Sequence, residues 1–561
     1  MKRINLLLLI ILIAACGEKN NSTAPPAPDT SGNDIVISSS TIITVSGTVQ
    51  YEDITYDSNG LSTVTEFKAA RRVLIELVDQ NNLVIDSTSS DDGGVYNLSG
   101  SGDGLYVRIL AQSGADAMRN IAIHNYLGDV YAATQNLASP DINNDVSLDI
   151  NITKNSSING AFNMLDVFLS ARNFIANLST TSLAATLVYW VDGSESYGTY
   201  YCPVGLSDAA CPRGTGIYVT GGAGSSGDKD QYDDDVLWHE FSHFLEDNLG
   251  IKDSPGGPHS MTQNDLDLRL AWSEGWGNFF PTAVKSWLNS TDPGLLSVEA
   301  TDLTSYVDTV GGLTNNIAGI TIDLHAPGVC ISQGCFIYSS NEIAVANIMS
   351  HLQHEHGIGP LWSVYQDYLT GLSDQVVNLE TFWDGWLAQR LPDNPQLVAL
   401  EAIYADRQVR FISDTFEASG DDASNANRLF TVCSTPSCPG EQHYFYSDIL
   451  NDDIDVIGFN ATAGTVYTIE TFDLYNGADT EIFIQDGVGT PVLDGSGSAF
   501  SNDDRSDSTC NPVINDKLTF SSTLQFTAPS DGMYYVKIIT SNTACAGSGR
   551  YGSYSLRVTA N

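Results

Sequence analysis

Two histidines with a glutamate directly after the first, His239-Glu240-Phe241-Ser242-His243, constrain the fold of this chain more than any other feature of its sequence. On a helix, side chains at i and i+4 project from one face a turn apart, close enough for two imidazoles to hold one tetrahedral metal ion. In a strand the same two residues stand roughly 13 Å apart and cannot. The flanks favour the helix. Val236, Leu237, Trp238, Phe241, Phe244 and Leu245 surround the histidines with apolar groups, which predicts a buried helix with a polar strip, and Gly250 supplies a stop. Asp233, Asp234 and Asp235 stand at its start, where they cap the helix and oppose its positive end. This acidic run reads as a solvated helix start rather than a calcium site.

A zinc ion at such a pair needs a third protein ligand and an open position. Ala271, Trp272, Trp276, Phe279 and Phe280 predict a second buried helix, and Glu274 is a lone carboxylate in that apolar company that needs a partner. Glu274 is therefore the candidate third ligand.

The segments HEFSHFLEDNLG, SPGGPHS and AWSEGWGNFF together resemble the gluzincin metallopeptidases, and most of all the fungalysin type. The resemblance implies a zincin-like α+β domain in which His239, His243 and Glu274 bind one catalytic Zn2+. It implies Glu240 as general base for a zinc-activated water that attacks a peptide bond. Where such enzymes carry an aspartate that orients a histidine ligand, this chain has Asn278, whose amide oxygen can accept the same imidazole N–H. The oxyanion donor is less marked: Tyr338 and His325 are the candidates, with His259 of the Gly-Gly-Pro loop a weaker one. An enzyme acting on a protein or peptide substrate, most readily as an endopeptidase, is expected. The alternatives are a zinc hydrolase of other bonds and a catalytically inactive zincin-fold surface lipoprotein used in binding or adhesion.

The fold class expected is multidomain: a β-sandwich, a mainly α-helical α+β zincin-like domain, then a jelly-roll-like β-sandwich. A chain of 561 residues with 42% hydrophobic residues is long and apolar enough for several cores. Residues 1–15 read as a signal peptide, with Lys2 and Arg3 before an apolar run too short for an ordinary membrane span. Ile13-Ala14-Ala15-Cys16 resembles a bacterial lipobox, which implies lipidation of Cys16 and a place in the cell envelope, at the outer membrane or cell surface. Residues 16–40, rich in Ser, Thr, Asn, Pro and Gly, form a flexible linker. A net charge of −44 disfavours nucleic acid, so contact with the membrane is expected through the lipid anchor only, and a monomer is expected.

Residues 41–152 alternate apolar and polar positions and resemble transthyretin-like, carboxypeptidase-regulatory-like modules. Residues 153–410 form the expected catalytic region, opening on a helix over 161–178. Within it, Ile217-Tyr218-Val219 is a candidate edge strand that aligns substrate, or else an ordinary sheet strand. His351, His354 and His356 suggest a second metal site or a solvated helix C-terminus. Residues 411–561 return to β-alternation and resemble the bacterial pre-peptidase C-terminal domain. There Asp479, Asp503 and Asp504 are candidates for Ca2+, and turn formation accounts for the same residues.

Apart from Cys16, the cysteines fall into close pairs: Cys202 with Cys211, Cys330 with Cys335, Cys433 with Cys438 and Cys510 with Cys545. Even pairing suggests four local disulfides and an oxidising compartment; the competing idea, a structural cysteine–zinc site, has no C-x-x-C motif behind it.

Overall fold

The computed structural model describes residues 41–411 and 430–561, less 115–118, 138–143, 196–197, 207–210, 225–226, 297–301, 311–318, 327–329, 332–333, 373–375, 391–393, 436, 446–452, 504–519 and 542–549. The expectations for residues 1–40, including Cys16, and for Asp504, Cys510 and Cys545 lie outside the described residues.

The strand Ile43–Asp57 turns back through Ser58 and Asn59 onto Gly60–Ala69, and its first half pairs antiparallel with Val95–Gly100. A second sheet has eight strands. Its order runs Tyr200–Cys202, Gly216–Val219, Thr186–Trp190, Ile121–His124, Tyr106–Ser113, Val73–Val78, Val84–Ser89, with Ala132–Asn136 added beside Tyr106–Ser113. Thr186–Trp190 is parallel to both of its neighbours, so this sheet runs straight across residue 152. One apolar core extends from Ile43 through Ile123 and Val188 to Phe411. The alternation of residues 41–152 is thus real, but strands from both sides of that boundary complete one another. Parallel neighbours come from distant segments, and local alternation carries no information about which.

Helix α1 (Asn159–Leu178) covers the sheet with Phe162, Leu165, Phe168 and Phe174. Helix α2 (Asp234–Leu249) starts where the Asp233 carboxylate accepts the Val236 N–H. It ends at Gly250, whose φ of 71° permits the left-handed stop, with the Ile251 N–H returning to the Glu246 carbonyl. Helix α3 (Leu268–Thr291) packs beside it, and helix α4 (Glu342–His356) packs on α3. Beyond them come α5 (Ile358–Ser363), α6 (Leu379–Arg390) and α7 (Asn394–Ala405). Among the described residues no helix is long and apolar enough to cross a membrane.

The expectation of a solvated acidic start to α2 is overturned, because Asp233, Asp234 and Asp235 are all buried. Asp235 takes the Lys285 ammonium at 2.6 Å and the Val307 N–H at 2.9 Å, while Asp233 takes the Thr309 N–H at 2.6 Å. Their partners lie in α3, in the strand Ser305–Asp308 and just after it at Thr309, far along the chain.

Residues 441–560 supply two four-stranded antiparallel sheets enclosing a core of their own. This β-rich part docks on the helices. Glu380 accepts the backbone N–H groups of Arg550 and Tyr551, and the Tyr551 hydroxyl donates to Asp384. Cys202 and Cys211, and Cys433 and Cys438, are disulfide pairs with Cα separations of 5.9 and 6.1 Å, inside the usual range. Cys330 and Cys335 face each other across a short antiparallel ladder. Of the calcium candidates, Asp479 is fully buried and Asp503 ends the strand Ser501–Asp503.

Candidate metal centre

Helices α2 and α3 bring the three expected ligands together. His239 Nε2 lies 3.0 Å from His243 Nε2 and 3.1 Å from Glu274 Oε2, and His243 Nε2 lies 3.5 Å from the same oxygen. A tetrahedral zinc site with bonds of about 2.0–2.1 Å has ligand–ligand edges of about 3.3–3.4 Å, so the donor set and spacing fit one zinc ion.

The tautomers follow from the outer hydrogen bonds. His239 Nδ1 is 3.1 Å from Asn278 Oδ1, an acceptor, so Nδ1 carries the proton and Nε2 presents a lone pair. The Ser273 hydroxyl donates to Glu246 at 2.5 Å and so offers its oxygen to His243 Nδ1 at 3.2 Å, which leaves that Nε2 as a lone pair too. In the neutral form that binds metal, both imidazoles thus point Nε2 lone pairs at one spot. The Asn278 amide nitrogen is buried without a hydrogen-bond partner among the described residues, so its oxygen is the atom that orients His239.

Charge in this pocket is strongly structured. Burial alone would raise the Glu274 carboxyl, but His243, His259 and His239 around it hold it well below the usual carboxylate range. His243 is raised well above the usual imidazole range despite burial, chiefly by Glu274. Burial lifts Glu240, against the pull of His239 and His243, and its Oε2 accepts the Tyr201 N–H at 2.7 Å. Burial also pushes Glu342 up to about 7, against the pull of His259.

Two glycines make the approach of the helices possible. A Cβ on Gly277 would stand 2.7 Å from His239 Cε1, and one on Gly275 would stand 2.6 Å from Val345 Cβ. Gly277→Ala should therefore loosen zinc by about 10–100-fold by displacing the His239 ring. Helix propensity alone favours alanine by roughly 1 kcal/mol, so the fold itself should survive. Competition with a chromophoric chelator measures this; an unchanged affinity would mean that His239 shifts without moving its donor atom.

The other expected site residues are placed elsewhere. His325 stacks on His351 at 4.2 Å between ring centres and lies 4.5 Å from His354. His351 is nine residues beyond Glu342 on α4, roughly 13 Å along the axis, so this histidine group sits away from the ligands. His356 packs on Trp386 instead. The three-donor groups found among the described residues are His239–His243–Glu274 and His259–Glu274–Glu342, both containing Glu274. Tyr338 stacks on Tyr475 of the C-terminal sheets at 4.6 Å. Of the two readings of Ile217-Tyr218-Val219 the ordinary sheet strand holds: Gly216–Val219 pairs on both sides, and Tyr200–Cys202 is the sheet end, with Tyr201 bonded to Glu240. Hydrogen bonds to Tyr201, Ser273 and Glu246, and the approach of Glu342, had no sequence signal beyond adjacency to the motifs.

No protein-family model matches the sequence, and no curated protein matches it. Solved structures give partial likenesses. One is the pre-peptidase C-terminal domain of a collagenase from Bacillus anthracis, at 14% identity over 23% of this chain and 94% of that one, with a TM-score of 0.15. Another is a 9R-lipoxygenase from Cyanothece, at 9% identity over 26% of this chain and 25% of that one, with a TM-score of 0.14. The first is a domain of the kind that residues 445–560 resemble in sequence; at these scores neither likeness carries a functional argument.

Proposed function

We propose that this chain is a zinc-dependent peptidase of the cell envelope, with His239, His243 and Glu274 as ligands and Glu240 as general base. One observation carries the reading. Two histidine Nε2 atoms face each other at 3.0 Å with both Nδ1 atoms committed elsewhere, beside a carboxylate whose side chain is 13% exposed. Such a contact needs a proton or a metal cation between the two nitrogens, and two nitrogens with one oxygen is a zinc donor set.

Zinc in such a site supplies Lewis acidity and activation of water. The residues of the chain supply the rest. Asn278 and the Ser273–Glu246 pair hold the two imidazoles in register. Glu240 takes a proton from the attacking water and returns it to the leaving amine, and its burial raises its proton affinity toward that task. A peptide substrate is supported by the likeness of the motifs to gluzincins. The sheet end at Tyr200–Cys202, next to Glu240, suits an extended chain.

The test combines elemental analysis of the purified protein with cleavage of a quenched casein substrate, with and without a chelator. At least one zinc per chain and chelator-sensitive cleavage are expected. Folded protein that binds no zinc would overturn the reading, and zinc without cleavage would turn it toward another substrate or the binding alternative.

A further inference from the structure

Beside the first ligand set stands a second group that shares one member with it. His259 Nε2 lies 3.5 Å from Glu274 Oε2 and 3.6 Å from Glu342 Oε2, and its Nδ1 lies 3.0 Å from the Gly257 carbonyl. A carbonyl only accepts, so Nδ1 is the protonated nitrogen of the neutral ring, and Nε2 aims a lone pair at two carboxylate oxygens. Neither distance is that of a charge-assisted hydrogen bond, about 2.7–2.9 Å, so the three donor atoms converge without bonding one another.

Glu342 adds an independent observation. It opens α4, is 1% exposed, and its Oε1 has no hydrogen-bond partner. The start of a helix offsets part of such a charge but does not satisfy a buried oxygen. Glu240, Glu246 and Glu342 are buried and the Glu274 side chain is 13% exposed, so four acidic side chains meet here.

We propose that His259, Glu342 and Glu274 form a second divalent-cation site, with Glu274 shared between the two ions. The proposal rests on the zinc reading of the first site. An imidazole nitrogen with two carboxylates selects a first-row divalent ion, zinc or manganese, over calcium, which takes oxygen ligands. The His259 side chain is 29% exposed and the group has one nitrogen where the first has two, so this site binds the weaker ion. It fills second.

The experiment is a zinc titration of the full, chelator-stripped chain, with bound metal counted by elemental analysis after equilibrium dialysis. Two ions per chain are expected in the parent, the second more weakly held. Glu342→Gln, nearly isosteric, and His259→Ala, in a half-exposed loop, should each retain one tight ion and lose the weaker. One ion in the parent at saturating zinc would overturn the second site while leaving the first intact. Two ions in the parent and in both variants would overturn its placement. No ion in folded parent would overturn the first reading and this one with it. A drop in turnover of the His259→Ala protein with two ions retained would overturn the site and make His259 an oxyanion donor.

Discussion

Glu240→Gln should lower peptide hydrolysis by about three orders of magnitude while zinc content stays at the parent value. Glutamine keeps the shape of the side chain and can still accept the Tyr201 N–H at the sheet end, so neither α2 nor the ligand geometry has reason to change. What it loses is the ability to take and return a proton. Burial is the largest influence on Glu240 and raises its proton affinity, while His239 and His243 oppose it. A base raised in this way fits proton transfer near neutrality better than an ordinary carboxylate. Comparison of kcat/KM with metal content on the same preparation decides the matter. An active, zinc-loaded Glu240→Gln protein would remove Glu240 from the mechanism.

Lys285→Met should cost roughly 3–5 kcal/mol of stability, the usual penalty for removing one partner of a buried ion pair. Lys285 and Asp235 both have side chains at 0% exposure, 2.6 Å apart, and the ammonium also donates to the Ser305 carbonyl at 2.7 Å. Methionine preserves most of the stem and removes the charge. Asp235 is then buried beside Asp233 without its cation, although burial already pushes its carboxyl upward and Lys285 is what most opposes that. The pair ties the first turn of α2 to α3, the two helices that carry the metal ligands. Denaturant unfolding of metal-free protein is the measurement, because bound metal would add its own stabilisation. Asp235→Asn added to Lys285→Met should recover most of the loss, since asparagine still accepts the Val307 N–H without a charge. An equal loss in the single and double variants would assign the effect to packing.

Some of the site was legible before any tertiary information. The i, i+4 spacing of His239 and His243, the apolar flanks, the Asp233 cap and the Gly250 stop all describe one helix. Glu274 followed from a lone acid on an apolar helix, and Asn278 from the resemblance to gluzincins; both meet His239. Other expectations depended on neighbours that position along the chain does not give. His325, Tyr338 and the strand Gly216–Val219 were judged by their position along the chain. Their neighbours are His351, Tyr475 and the strands Thr186–Trp190 and Tyr200–Cys202, which that position does not identify.

The amino-acid sequence by itself determined the local elements: helix α2 with its two histidines on one face, its cap and its stop, and the alternating strands. These depend on periodicity and on contacts within a few residues. Only the tertiary structure decided which remote groups meet. The same run of aspartates reads as a solvated helix start until α3 delivers Lys285, and Glu342 meets His259 and Glu274 only once α4 packs on α3. Burial and partner choice are properties of packed surfaces, and a carboxylate's chemistry follows from them.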